Sequence, residues 1–181
     1  MEKCCKPKKK GGLGIINIRS QNSALLLKHL DKFYNKKEIS WVKLIWYAHY
    51  SNGEIPHATI DKGSFWWRDI LKLCDLFRGI ANCKLGDGST VLFWSDLWND
   101  SVLQIKFPRL FSFAKNRKVS VSEFLLNNIE SQFHLPLSEQ AYQEYQALQD
   151  YIQTLQVQPN TKDSWHYRPV RLAYKPYFFN Q

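Results

Sequence analysis

Three aspartates stand close together in the middle of this chain: Asp87, Asp96 and Asp100. Carboxylates at such spacing raise the question of a divalent-metal site for phosphoryl transfer, where two ions sit roughly 4 Å apart and need acids converging from fixed elements. The local sequence speaks against it. Asp87 precedes Gly88 in a turn dipeptide, Ser95-Asp96 has turn composition, and so does Asn99-Asp100. Other chemistry is equally thin. The cysteines are Cys4, Cys5, Cys74 and Cys83, with no C-x-x-C, and His29, His49, His57, His134 and His166 are scattered. No zinc, other metal or cofactor is therefore expected. Gly11-Gly12-Leu13-Gly14 lacks the Gly-Lys-Ser/Thr ending of a phosphate loop and reads as a flexible basic linker. No G-x-S-x-G nucleophile elbow occurs.

What remains is charge interleaved with aromatic rings. The 181 residues carry a formal net charge of +9, unevenly placed: residues 1–50 hold eleven Lys/Arg against three Asp/Glu, a net of +8. A polyanion is the natural partner for such a segment, and a solvated basic terminus is the plain alternative. The candidate contacts are Lys6, Lys8, Lys9 and Lys10, then Lys36 and Lys37 before Trp41, then Trp67 and Arg68. Cations neutralise phosphates and rings stack on unpaired bases, so the expected partner is RNA or DNA, bound weakly and with little sequence preference. Trp66 reads as core, whereas Trp67 fits either the rim of that core or a stacking surface.

The elements that must position these residues are mostly helical. Residues 1–20 form a basic, irregular lead-in broken by Pro7 and the glycines. From Ser20 or Asn22 the pattern is helical: Leu26, Leu30, Phe33 and Tyr34 share one face, and Lys28, Lys32 and Lys36 the other. Ser40 is placed to cap a second helix, and Gly63-Ser64 to open a third that stops at Gly79. Around Asp87-Gly88 the period changes, which predicts a β-hairpin near residues 83–94. Ser120 and Ser138 begin further helices, and Trp165-His166-Tyr167 has strand character. The fold class is then α+β: mainly helical, loosely packed, with one hairpin. The domain reading is lead-in 1–20, helices plus hairpin 21–115, helical segment 116–160 and tail 161–181. No apolar run reaches the roughly 20 residues of a membrane span, and no signal peptide opens the chain, so an intracellular setting is expected. The lysine run also has the composition of a nuclear-import signal.

Three ordered blocks carry a family resemblance. Cys5-Lys6-Pro7-Lys8 with Gly11-Gly12-Leu13-Gly14-Ile15 is the first, followed by Asn22, Ala24, Leu25 and Leu26. Ser64-Phe65-Trp66-Trp67-Arg68-Asp69-Ile70-Leu71 is the second. The third is Gly86-Asp87-Gly88, Val91, Phe93-Trp94, Asp96 and Trp98, continued by Phe107-Pro108, Leu110-Phe111 and Ala114. Together they resemble plant non-LTR (LINE-type) retrotransposon reverse transcriptases, in the region between the polymerase and the C-terminal zinc-binding region. That family's polymerase depends on an aromatic-x-Asp-Asp motif, and no Asp-Asp pair occurs here. The tail from Arg168 departs from the family pattern, as truncation or a frameshift would make it. The resemblance thus implies a non-catalytic connecting fragment with nucleic-acid affinity in its basic segment. A nucleic-acid-binding module retained for a host function is the alternative.

Overall fold

The computed structural model describes residue 11, residues 18–50, residue 55, residues 63–155, 157–158 and 160–167. Lys6, Lys8, Lys9 and Lys10 lie outside the described residues, as do the expected strands beyond Tyr167. The chain divides into two compact units, Met1–Phe77 and Arg78–Gln181.

The first unit is built on α1 (Ile18–Tyr34), α2 (Ser40–His49), α3 (Phe65–Leu71) and the start of α4 (Cys74–Ile80). On α1 the buried stripe is Leu27, Leu30, Phe33 and Tyr34, while Leu26 is half-buried and Lys28 and Lys32 are exposed. Phe33 is the hub: its ring stacks on Trp46 at 4.6 Å and meets Trp67 at 4.6 Å and Tyr50 at 5.7 Å. Burying a side chain of that size stabilises by about 1.5–3 kcal/mol. Helix α1 ends in a paired cap, Lys36 N–H donating to Phe33 O at 3.0 Å and Lys37 N–H to Lys32 O at 3.1 Å. That geometry places Lys36 at φ 43, in the left-handed region usually filled by glycine.

Two local expectations need correction. Ser40 is the first residue of α2, with Ile39 in the cap position and no side-chain cap bond. The third helix is interrupted: Lys72 caps α3, Leu73 N–H turns back to Ile70 O at 3.0 Å, and α4 runs through Gly79 to Ile80. A tightened i→i−3 turn, not a glycine stop, makes that break. Ser64 does cap α3, accepting Trp67 N–H at 3.3 Å.

The second unit contains β1 (Ala81–Lys84), α5 (Leu103–Lys106), α6 (Pro108–Ser112), α7 (Val121–Leu126), a 3₁₀ turn at Glu130–Gln132, α8 (Glu139–Gln153) and β2 (Ser164–Tyr167). The chain is mainly helical with a small antiparallel sheet, the α+β class read from the sequence. The sheet is not the local hairpin expected at 83–94. Cys83 pairs with Trp165 and Lys84 with Ser164, from the far end of the chain. Val91–Trp94 contributes a single bridge, Leu92 to Ser120. The hairpin fails because the amides of the turn are taken by the Asp163 carboxylate, described below. Gly88 nevertheless has the positive φ expected of it, +72.

Rings fill this unit's core. Phe93 stacks on Phe124 at 3.7 Å, and Trp94 meets Phe93 at 5.0 Å and Phe111 at 5.4 Å. Trp98 is buried and donates its Nε1–H to Phe93 O at 3.1 Å. Ser120 and Ser138 cap α7 and α8, accepting Glu123 N–H at 3.0 Å and Ala141 N–H at 3.3 Å. Glu144 on α8 does not simply face solvent, since its carboxylate accepts Leu110 N–H at 2.8 Å in the first turn of α6. An acceptor there satisfies a donor that the helix leaves without a partner. No helix among the described residues is long and apolar enough to cross a membrane.

Candidate nucleic-acid interface

The acidic residues do not converge on an open site. Asp87 accepts Ser89 N–H at 2.9 Å within its own turn. Asp100 is exposed at φ 59 beside Asn99 at φ 47, the two central residues of a tight turn bridged by Trp98 and Ser101. Asp96 is buried, ion-paired with buried Arg78, and accepts Leu92 N–H at 2.6 Å. Among the described residues no group of three or more His, Cys, Asp or Glu could hold a metal ion.

A fourth carboxylate, Asp163, is a central feature that the sequence reading passed over. Its Oδ1 accepts the amides of Gly86 at 2.9 Å and Gly88 at 2.8 Å. Its Oδ2 accepts the amide and the hydroxyl of Thr90, each at 2.8 Å. Trp165 Nε1–H then donates to Thr90 Oγ1 at 2.9 Å, and Arg78 donates to Thr90 O at 3.3 Å. Buried carboxylates are tolerated when their lone pairs are filled in this way. The sequence signal was present but faint: Asp163 and Trp165 are alternate residues on an approach to a strand, so both point inward. Gly86 is required for a separate reason. A Cβ there would lie 2.4 Å from Thr161 O and 2.5 Å from Lys162 O.

A cavity of about 490 Å³ opens beside the sheet, lined by Cys83, Lys84, Asn99, Asp100, Thr154 and His166. Cys83 is a poor nucleophile. Burial first, then the charges of Asp163 and Asp96, raise its thiol pKa far above the ordinary value, so the reactive thiolate is scarce.

In the first unit, cations and rings are brought together in pairs. Lys36 Nζ sits 4.8 Å from the centroid of Trp46, and Arg68 lies 4.4 Å over Phe65. Lys37 is exposed. The structure overturns the core expectation for Trp66 and settles the open one for Trp67. Trp67 is 1% exposed, and its Nε1–H donates to Tyr50 OH at 3.3 Å, so its faces are occupied by protein. Trp66 is 43% exposed, with an edge-on contact to His29 at 5.2 Å and to Trp41 at 5.6 Å. The neighbours share a helix but differ by 100° in direction, which pattern alone could not assign. Burial first, and Lys32 second, lower the pKa of His29 below the ordinary imidazole value, a shift that favours the uncharged ring.

The fold and this arrangement define a mainly helical α+β chain. Asp87, Asp96 and Asp163 serve as acceptors within the fold, and exposed cations and the exposed Trp66 ring lie in the first unit. Comparison with known proteins adds one relative. Over 101 residues, 53% of this chain, it is 37% identical to a protein of Arabidopsis thaliana that carries the provisional name of a ribonuclease H protein. The match spans 16% of that relative's length. No family model matches the chain, and no solved structure matches it.

Proposed function

We propose that this chain is a non-catalytic connecting segment of a plant retroelement-type, reverse transcriptase-like protein of the non-LTR class, and that it holds RNA or DNA through cations and exposed rings of its N-terminal unit. The observation that carries this reading is the use made of the acids. Asp163 fills its lone pairs with four hydrogen bonds from Gly86, Gly88 and Thr90, and Asp96 is spent on Arg78 and Leu92 N–H. Carboxylates committed to backbone donors are not available to ligate catalytic metals. The plant relative, named for ribonuclease H, supports the nucleic-acid setting. The nucleolytic activity in its name is not assigned to this chain.

Binding is electrostatic in this reading, with Lys6, Lys8, Lys9, Lys10 and Lys37 supplying charge and Trp66 supplying a ring. Trp66 takes the role first considered for Trp67, because only an exposed indole face can meet a base. The test is fluorescence anisotropy with labelled single-stranded and duplex DNA and RNA across a salt series. Primer-extension and RNA–DNA hybrid cleavage assays with Mg²⁺ or Mn²⁺ run alongside. Salt-sensitive binding without extension or cleavage is expected. Cleavage or extension abolished by Asp96→Ala would overturn the non-catalytic assignment, and salt-independent or absent binding would overturn the nucleic-acid one.

A further inference from the structure

The turn between α6 and α7 carries the sequence Lys115-Asn116-Arg117-Lys118, and all four residues are exposed. We infer that this turn is a second phosphate-backbone contact, in the second unit, independent of the basic N-terminal segment. The inference rests on the nucleic-acid reading above and extends it to a part of the chain that carries almost no net charge as a whole.

Three observations support it. The turn is built, not loose. Ala114 bridges Phe133, Lys115 N–H donates to Gln132 O at 2.9 Å, and Lys118 N–H donates to Asn116 Oδ1 at 2.9 Å. Its cations are also held in place without being neutralised. Lys115 Nζ donates to the neutral Ser131 O at 2.9 Å, and Arg117 lies 5.2 Å over the Phe111 ring. Neither they nor Lys118 have an ion-pair partner among the described residues, whereas Lys43 pairs with Glu38 and Lys72 with Asp69. Finally, the spacing fits a polyanion. Three successive Cα–Cα steps span at most about 11 Å, and duplex DNA presents a charge every ~1.7 Å of its axis. A carbonyl and a ring that fix two cations lower the entropy cost of presenting them, which favours a rigid phosphate contact over a solvated charge run.

The experiment uses the full chain in three forms: unaltered, with Lys115→Gln, Arg117→Gln and Lys118→Gln together, and with Lys6, Lys8, Lys9 and Lys10 all replaced by Ala. Each is titrated with labelled single-stranded and duplex DNA from low to high salt, and with phosphatidylserine vesicles. Near-ultraviolet circular dichroism checks the fold. Because Arg117 packs on Phe111, Lys118→Glu alone serves as a variant that disturbs no ring contact. The turn variant is expected to flatten the slope of log K against log salt by about two to three units, at roughly 0.7 to 0.9 per phosphate. Lys118→Glu should weaken binding in the same direction with an unchanged spectrum. An unaltered slope in both turn variants, with loss of slope in the N-terminal variant, overturns this inference and leaves the functional reading standing. No binding by the unaltered chain overturns both. Loss of vesicle binding with DNA binding intact would assign the turn to a lipid surface and overturn the phosphate-backbone contact.

Discussion

Asp163 accepts both the amide and the hydroxyl of Thr90 at 2.8 Å, although the two residues stand 73 positions apart in the chain. That one carboxylate ties the turn after β1 to the approach of β2, and the Trp165 indole closes the link by donating to the same hydroxyl. The two strands pair because the turn between β1 and Val91 is held open against a distant acceptor and not against its own continuation.

Replacing Asp163 by Ala should therefore cost more than an ordinary surface substitution. Four donors lose their acceptor in a buried place, for which about 3–5 kcal/mol is expected. Asp163→Asn should recover part of this, since one oxygen survives while an NH₂ faces amide donors. Urea denaturation followed by tryptophan fluorescence measures both, and a loss under about 1 kcal/mol for the Ala variant would contradict the role given to this residue.

Two glycines make a matched pair for stability. Gly86→Ala forces a Cβ against the backbone of Thr161 and Lys162 and is expected to destabilise by roughly 1–3 kcal/mol or more. Gly79 lies within α4 with nothing near its would-be Cβ. Gly79→Ala should stabilise by about 0.5–1 kcal/mol through helix propensity. Thermal midpoints of the two variants should move in opposite directions.

The tryptophans of the second block should separate stability from binding. Trp67→Ala opens a cavity in a filled core and is expected to cost about 3–5 kcal/mol. Trp66→Ala should change stability far less and lower affinity for single strands by about 1–3 kcal/mol, with duplex binding spared. If Trp66→Ala leaves single-strand affinity unaltered, the exposed indole is not a stacking surface.

Lys36 occupies a backbone conformation that favours glycine, so Lys36→Gly should hold or raise stability, by up to about 1 kcal/mol, while removing one cation. Lys36→Ala keeps the strain and loses the contact with Trp46, and should be the less stable of the two. Chemical denaturation of the pair gives the order directly.

The buried Cys83 thiol makes stability depend on alkaline pH. Its pKa is raised in the folded chain by burial and by Asp163 and Asp96, against an ordinary value of 9.0. The folded state therefore keeps the proton after the unfolded state has lost it. This contribution is complete below pH 9.0 and is lost as pH rises toward the folded value, at about 1.4 kcal/mol per pH unit. Stability measured from pH 8 to 10.5 should fall less steeply in Cys83→Ala than in the unaltered chain.

Local sequence determined most of the helical stretches, three of their serine caps and the fold class, because periodicity and caps act within a few residues. Ser64, Ser120 and Ser138 each accept an amide three positions on, and the Leu30-Phe33-Tyr34 face is buried as its spacing requires. The setting of the motif acids was legible in part: turn composition placed Asp87 and Asp100 in turns, where both lie. Only tertiary structure decided the rest. Whether Trp66 or Trp67 faces inward depended on where α1 and α2 lie, and the partner of β1 depended on a carboxylate near the end of the described chain. Both are long-range choices, set by which buried donors and rings must be satisfied at once, and no window of neighbouring residues contains that information.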